Sequence, residues 1–550
     1  MQQNRREFLS LSSKAVMLAI GADLGFFDLL HAATANSKVP HLPVPGKQGL
    51  FGLIPVDEKL TLTAAVVKGA LPATGAPMLA YAATHKGKTY LNPILVLRKG
   101  QPFEATLVNG LDEPTIIHWH GVDCPWKQAG HPSYAIEPKN SYNYSFPITN
   151  RAGTYWYHPH PHGLTAKQAY MGLASFFIVR DAEEEAFAKE FDLRLGETDI
   201  PIVIQDKRLT HDGRLDYSPS RDDLMMGYLG DAILVNGQRT PTLKTSTRIY
   251  RFRLLNGSTA RIYNLAFVMN DKQLPFTLIG NDGGFLPAPQ QADGLFLSPG
   301  ERADVLLDMS ALSPGQEVFL QNMPFDPMHN EGDMMGMGGM MHMGHAADTA
   351  PTDHAKGSDH QAMSTGGHAG GHGGLGEGNT YPVMRLLVEQ KLAYSSKLPT
   401  RLPDIPAIPT GGFERPISLA LRHMGGWTIN DQTFDMSSTP IIVKQRGPEI
   451  WRITNAKASM PHPMHLHGYF YRVLERSGSP AQVKSRAVDA QGRLATDLGY
   501  KDTVLIWPGE TVSVSIDFSA PPYPGEQLFL FHCHNLEHED QGMMLNVKVV

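Results

Sequence analysis

Histidine is concentrated in a few short segments of this chain, and four pairs share an H-x-H spacing. Residues i and i+2 of a strand project to the same face, so each pair brings two imidazoles to one place. Together the pairs supply eight imidazoles, which is too many for one metal ion and suits a cluster of several. This histidine cluster comprises His118, His120, His158, His160, His465, His467, His532 and His534.

A second group of candidate ligands has the opposite strand parity. Cys533 lies inside the last pair and His462 precedes the third, so both side chains point away from the histidine cluster. With His538 and a weak axial Met543 they predict a His₂Cys site of the blue-copper electron-transfer type, the cysteine site. The peptide units on either side of Cys533 would connect the two sites. Zinc is the alternative metal, but structural zinc sites use Cys₄ or Cys₂His₂ sets, and only one cysteine lies in these segments.

Short β-rich runs separated by turn residues predict an all-β protein. Examples are residues 103–108, 249–255 and 512–516, and the 53 glycines and 41 prolines favour turns over long helices. We therefore expect β-sandwich domains in series. Their predicted bounds are residues 36–182, 183–397 and 417–550, with a proline-rich linker at 398–416.

The predicted second domain carries an insertion of different composition, residues 323–378. Residues 323–343 hold eight methionines, and seven histidines lie between His329 and His372. Such a stretch cannot pack a core. It lies between residues 317–320 and 383–388, which have the pattern of two paired strands.

The first 35 residues have the pattern of an export signal. Arg5 and Arg6 belong to a twin-arginine motif, an apolar stretch covers residues 15–30, and Ala33-Thr34-Ala35 fits a cleavage site. The pattern predicts export of the folded protein to the periplasm by the twin-arginine route. The alternative is a surface helix that begins with two arginines.

Composition excludes several classes of protein. A net charge of −6 argues against nucleic-acid binding, and no later apolar run is long enough to cross a membrane. Two cysteines exclude a disulfide scaffold, so Cys124 should be a lone buried thiol. We expect a monomer.

The four segments, in their order and spacing, resemble the copper signatures of three-domain bacterial multicopper oxidases. The similarity spans most of the chain after residue 36. It implies three cupredoxin-like Greek-key domains and four copper ions, one of type 1, one of type 2 and two of type 3. The implied ligands are His462, Cys533, His538 and Met543 for type 1; His118 and His465 for type 2; and His120, His158 and His534, with His160, His467 and His532, for type 3.

The resemblance also implies a reaction. Electrons leave the donor one at a time at type 1 copper and pass through Cys533, flanked by His532 and His534, to the cluster, which reduces O₂ to water. Glu539 matches a family carboxylate proposed to deliver protons. The family's other common acid lies nine residues after the second histidine of H-W-H-G, where this chain has Ala129. Asp123 is the nearest candidate substitute.

The methionine-rich run resembles that of bacterial copper-efflux cuprous oxidases. Thioether sulfur is a soft ligand that selects Cu(I), so the run favours Cu(I) as substrate and a role in copper tolerance. Two departures are present: Ala458 replaces a family aspartate that binds substrate copper, and the insertion precedes the last strand of its domain. The candidate substrate-copper residues are Met328, Asp333, Met334, Met335, Met337 and Met460.

Other functions remain open. A laccase-like oxidase of phenols or aromatic amines would use the insertion only to control access to type 1 copper. A copper-sequestering protein or a non-catalytic scaffold is the alternative without an enzyme activity. The complete ligand set and the position of Cys533 between two histidines disfavour both non-enzymatic functions.

Overall fold

The computed structural model describes residues 40–330, 375–407, 409–422, 425–444 and 446–550. The predicted signal at residues 1–35 lies outside the described residues, as do Asp333, Met334, Met335 and Met337. Among the described residues, no helix is long and apolar enough to cross a membrane.

The first domain is a sandwich of two sheets, with strand orders β1-β5-β4-β3-β7-β9 and β2-β6-β11-β10-β8. Alternation explains its strands: in β7, Phe103, Ala105 and Leu107 are buried while the residues between them are more exposed. The strands are β1 (Gly49–Leu50), β2 (Leu53–Pro55), β3 (Leu60–Val67), β4 (Met78–His85), β5 (Lys88–Leu91), β6 (Ile94–Arg98), β7 (Pro102–Asn109), β8 (Ile117–His120), β9 (Ser141–Pro147), β10 (Gly153–Pro159) and β11 (Ser175–Arg180).

The second domain is a larger two-sheet sandwich with its own apolar core. Its strands are β12 (Asp199–Leu209), β13 (Leu215–Asp216), β14 (Ala232–Val235), β15 (Gln238–Arg239), β16 (Thr242–Ser246), β17 (Ile249–Asn256), β18 (Tyr263–Met269), β19 (Lys272–Leu274), β20 (Phe276–Asn281), β21 (Gly284–Ala292), β22 (Leu295–Leu297), β23 (Arg302–Asp308), β24 (Glu317–Asn322) and β25 (Tyr381–Gln390). β24 and β25 pair antiparallel, as expected for the strands that flank the insertion.

The third domain has sheets of order β27-β26-β29-β33-β31 and β28-β35-β34-β30-β32. Its strands are β26 (Phe413–Leu421), β27 (Trp427–Ile429), β28 (Ile441–Val443), β29 (Pro448–Asn455), β30 (His462–Leu466), β31 (Tyr471–Ser477), β32 (Thr503–Ile506), β33 (Thr511–Asp517), β34 (Gln527–Cys533) and β35 (Met544–Val549). The all-β class with three cupredoxin-like sandwiches is therefore confirmed.

β26 begins at Phe413, inside the stretch 398–416 that the sequence predicts as linker. The prolines made this stretch look extended and unpaired, yet Pro416 is compatible with a strand here. β27 pairs only with residues 419–421 of β26, so the missing N–H of Pro416 interrupts no bond on that side.

Helices are short and connect strands. They are α1 (Thr165–Tyr170), α2 (Ala182–Glu190), α3 (Arg221–Met226), α4 (Ala481–Lys484) and α5 (Leu536–Asp540). α3 begins with a capping box in which Ser220 and Asp223 satisfy each other's backbone N–H groups. It belongs to the second domain but lies against α5 of the third.

One continuous apolar cluster joins the first and third domains, and it includes Trp119 and Trp451. Burying side chains of this size stabilises the fold by about 1.5–3 kcal/mol each. The shared cluster holds β8 and β10 of the first domain opposite β30 and β34 of the third. The eight histidines of the predicted cluster lie on these four strands or directly after them.

Candidate metal centre

Two pairs of antiparallel strands present the predicted histidine cluster. On β8 and β10, His118 lies opposite His158, and on β30 and β34, His465 lies opposite His532. The second member of each pair lies two residues further along the same face. All eight imidazoles are at most 1% exposed. The structure thus brings together every residue of the predicted cluster.

Ring nitrogens from the first and third domains approach each other closely. His118 Nε2 lies 3.2 Å from His465 Nε2, and within the third domain His467 Nε2 lies 3.1 Å from His532 Nε2. Two rings stack across the domains, with 3.7 Å between the centroids of His118 and His467. Groups of three donors within 4.8 Å of one another include His160 with His467 and His532.

The opposite nitrogens of these rings are fixed by backbone carbonyls. His118 Nδ1–H donates to Ala129 O at 2.6 Å, and His465 Nδ1–H donates to Asp502 O at 2.7 Å. A ring that donates from Nδ1 presents a bare Nε2, which is the form that binds a metal. Buried atoms without a protein partner include His158 Nε2 and both ring nitrogens of His534. This donor set fits metal ions such as copper.

Burial favours the neutral state of His158 and His160. Desolvation is the main cause that lowers the pKa of His158 to about 3 and that of His160 to about 4, and neighbouring imidazoles add to the effect at His158. Glu539 contacts both His532 and His160, at 3.1 and 3.4 Å. Burial opposes ionisation of this carboxyl, but the adjacent histidines hold its pKa well below the ordinary value.

The cysteine site forms on the opposite face of β34. Cys533 Sγ lies 3.5 Å from His462 Nδ1 and 3.6 Å from His538 Nδ1, and all three side chains are fully buried. Met543 is buried as well, and its N–H donates to His538 O at 2.8 Å. Burial raises the pKa of the Cys533 thiol well above its usual value, so a bound cation would be needed to hold the thiolate.

One carbonyl of the second domain orients this site. Met225 O, in α3, accepts bonds from His538 Nε2–H at 2.9 Å and from Trp427 Nε1–H at 2.8 Å. The Trp427 ring lies 4.7 Å from the His462 ring. No sequence pattern marks α3 for this role, because the contact depends on how the domains pack.

Ala129, which occupies the position of the missing family acid, and Asp123, its candidate substitute, have different surroundings. The backbone of Ala129 holds His118, as described above, while its side chain offers no acid. Burial raises the pKa of Asp123 to about 7, and its described partners are Thr149 and Asn150. Besides Glu539, a second carboxylate touches the cluster: Asp502 Oδ1 accepts a bond from His120 Nε2–H at 2.9 Å. No H-x-H spacing marks Asp502, so sequence reasoning missed it.

The described ends of the insertion, residues 325–330 and 375–378, form a neck beside the cysteine site. His329 Nε2–H donates to Glu377 Oε2 at 3.1 Å, and Asn330 N–H donates to Ser459 O at 2.9 Å. Met460 is buried next to Ser459. Met328 packs partly buried against a cluster that includes Trp507.

Two further residues lie outside both sites. His162 is exposed, and its ring lies 5.1 Å from that of Phe434. Cys124 is a free buried thiol, as predicted.

Three family models described as multicopper oxidase match residues 80–184, 209–327 and 399–550. The crystal structure of McoA multicopper oxidase from Aquifex aeolicus is 35% identical, with a TM-score of 0.76 over 93% of this chain and 100% of that one. A multicopper oxidase from Campylobacter jejuni, described as a metallo-oxidase, is 25% identical, with a TM-score of 0.66 over 94% of each chain.

Sequence relatives have similar names. The multicopper oxidase mco of Staphylococcus haemolyticus is 29% identical over 465 residues, 84% of this chain and 82% of that protein. The laccase of Bacillus subtilis is 29% identical over 465 residues, 78% of each chain. The chain belongs to the multicopper oxidase family, copper enzymes that oxidise a donor with O₂.

The lowered histidine pKa values predict how the copper-free protein responds to acid. Because burial depresses the folded-state values, their stabilising effect is complete above the unfolded pKa of about 6.5 and is lost as pH falls towards about 3–4. Each such histidine contributes up to about 1.4 kcal/mol per pH unit in this window. We expect the urea midpoint of the copper-free protein to fall steeply from pH 6.5 to 5.

The copper-loaded protein is the control, since bound metal competes with protons for the same nitrogens and should flatten the curve near neutral pH. A urea midpoint of the copper-free protein that is constant from pH 7 to 5 would contradict neutral buried imidazoles.

Replacing the cysteine tests the cysteine site directly. Cys533→Ser should remove blue absorption and oxidase turnover, because a hydroxyl cannot supply the thiolate ligand. Copper bound by the eight imidazoles should remain. Visible spectra, copper per chain and oxygen uptake measure these three properties.

Cys124→Ser is the matched control, because it also removes a fully buried thiol. It should retain colour and turnover. Unchanged turnover in Cys533→Ser would show that Cys533 is not the electron-transfer ligand.

Proposed function

We propose that this enzyme oxidises Cu(I) at the cysteine site and reduces O₂ to water at the histidine cluster, and that it serves copper tolerance. One contact carries the proposal. In the neck of the methionine- and histidine-rich insertion, Asn330 is hydrogen-bonded to the backbone of Ser459, whose hydroxyl group contacts His462. Four copper ions would be resident: one held by His462, Cys533, His538 and Met543, and three held by the histidine cluster.

The protein's own residues have defined tasks in this reaction. Copper at the two sites would supply one-electron oxidation of the donor and four-electron reduction of O₂. Neutral imidazoles bind metal ions without competition from protons. Cys533 lies on the chain directly between His532 and His534, two members of the histidine cluster. Glu539 contacts two of the imidazoles and is the carboxylate placed to move protons.

The contacts of the neck favour Cu(I) as donor. His462 turns Nδ1 towards Cys533 Sγ, so its Nε2–H is the outer edge of the ring, and this group donates to Ser459 Oγ at 3.2 Å. Asn330 is bonded to the backbone of the same serine. A cation collected by the soft ligands that follow Asn330 in sequence would be delivered next to His462. Buried Met460 adds a thioether beside that serine.

A laccase-like activity towards phenols or aromatic amines is the second candidate. The similarity to the Bacillus subtilis laccase supports it. Against it, both imidazoles of the cysteine site are fully buried, the outer nitrogen of His538 is bonded to Met225 O, and the Trp427 ring packs edge-on against the His462 ring. Copper sequestration or a scaffold role would not require the His462–Cys533–His538 geometry.

We also propose export to the periplasm as a monomer. Export is supported by the twin-arginine pattern at Arg5 and Arg6 and by the cleavage motif that ends at Ala35. An enzyme exported in this way would act on Cu(I) outside the cytoplasm.

Deleting residues 331–374 separates the two candidate substrates. The deletion retains His329, Asn330 and Glu377, the residues that make the contacts of the neck. Cu(I) oxidation should fall about tenfold or more, the effect of losing about 1.4 kcal/mol of substrate binding. Oxidation of dimethoxyphenol should be unchanged or faster. Oxygen uptake with a stabilised Cu(I) complex and with the phenol measures both.

A full-length variant in which Met334, Met335 and Met337 are replaced by serine is the matched control for loop length. It should lose Cu(I) oxidation while retaining the length of the insertion. Equal losses of both activities in the two variants would contradict a specific role in Cu(I) delivery.

A further inference from the structure

The second domain supplies none of the predicted ligands of the four resident copper ions, yet one of its loops reaches the histidine cluster. Residues 298–301 precede β23 and lie between the first and third domains. Gly300 has a φ of +84°, and a Cβ placed there would lie 2.9 Å from His534 Cδ2. Only glycine allows the loop to approach the imidazole this closely.

Arg302 follows this loop as the first residue of β23, and its side chain is completely buried. Each of its five N–H groups has an acceptor. Nε–H donates to Thr154 O at 3.0 Å, one Nη1–H to Gly300 O at 2.8 Å and one Nη2–H to Asp282 O at 2.9 Å. The two remaining groups form a fork on Asp502, with Nη1 to Oδ1 at 2.8 Å and Nη2 to Oδ2 at 2.5 Å. Such a bidentate pair fixes the plane of the carboxylate.

Asp502 passes this orientation to the cluster. Its Oδ1 accepts the bond from His120 Nε2–H at 2.9 Å, and its backbone carbonyl accepts His465 Nδ1–H at 2.7 Å. Thr503 Oγ1–H donates to the same Oδ1 at 3.0 Å. His120 is thereby held with a proton on Nε2, and its Nδ1 is buried without a protein partner. Nδ1 is the atom that His120 offers to a metal.

The first domain leaves room for this arrangement. Gly121, directly after His120, has a φ of +77°. A Cβ at this position would lie 2.4 Å from Asp502 Oδ2 and 2.9 Å from Arg302 Nη2. The glycine of H-W-H-G is therefore required by the packing of an ion pair formed by the two other domains.

We propose that Arg302 is a positioning residue of the histidine cluster: through Asp502 it fixes which nitrogen of His120 faces the metal. All three domains then contribute to one centre, the first and third with ligands and the second with the group that orients them. The inference rests on the proposed ligand role of His120. It does not depend on which donor is oxidised.

Arg302→Lys tests the proposal, because lysine keeps the charge but cannot form a planar fork. Loss of a group that orients a metal ligand through a carboxylate typically weakens metal binding about 10- to 100-fold. After dialysis against a chelator we expect the variant to lose copper from the histidine cluster. We also expect an altered type 2 EPR signal, because Asp502 holds the proposed type 2 ligand His465 through its backbone carbonyl. The blue absorption of the cysteine site should be unchanged.

Arg261→Lys is the matched control. Arg261 is equally buried in the same domain and pairs with Asp206, with Nε 2.8 Å from Oδ2, and its described contacts include no histidine. Its replacement should cost similar stability and leave both copper signals unchanged. Asp502→Asn is the second test, used if Arg302→Lys does not fold, and should reproduce the altered type 2 signal.

The outcomes separate this inference from the proposed function. A wild-type protein that binds no type 2 copper would contradict the proposed function. A wild-type protein with full copper, and an Arg302→Lys variant with the same copper retention and EPR signal, would overturn the positioning role alone. Equal changes in Arg302→Lys and Arg261→Lys would also overturn it, since the effect would then be one of general destabilisation.

Discussion

Eight buried imidazoles share one space between the first and third domains, and the other features of the molecule depend on this contact. Unsatisfied buried polar atoms cost about 1–3 kcal/mol each, and several of these ring nitrogens have no protein partner. Apolar packing around Trp119 and Trp451 holds the two domains together despite that cost. The fold thus maintains a preorganised donor set, and metal binding supplies the missing partners.

The alternating direction of side chains along a strand connects the two sites. Cys533 faces one side of β34, while His532 and His534 face the other, so one tripeptide belongs to both sites. The second domain supports each of them through a different contact. The Met225 carbonyl orients His538, and Arg302 orients Asp502 beside His120. A domain without predicted copper ligands therefore has a structural reason to be retained between the two that carry them.

Much of this arrangement follows from local sequence. Strand parity is sufficient to assign Cys533 and the flanking His532 and His534 to different groups, and the strand pattern predicts that β24 and β25 pair on either side of the insertion. Contacts between domains could not be predicted this way, because Arg302 and Asp502 are 200 residues apart and neither lies in a characteristic spacing. The linker prediction failed at Phe413 because a proline-rich composition does not reveal an unpaired strand edge.

Anomalous diffraction at the copper absorption edge, from crystals of the copper-loaded protein, would locate the metal ions in both sites. We expect one peak among Cys533 Sγ, His462 Nδ1 and His538 Nδ1, and three peaks among the eight imidazoles, one of them beside Nδ1 of His120. A single peak at the cysteine site, or copper bound only elsewhere, would show that the eight imidazoles do not form a copper centre.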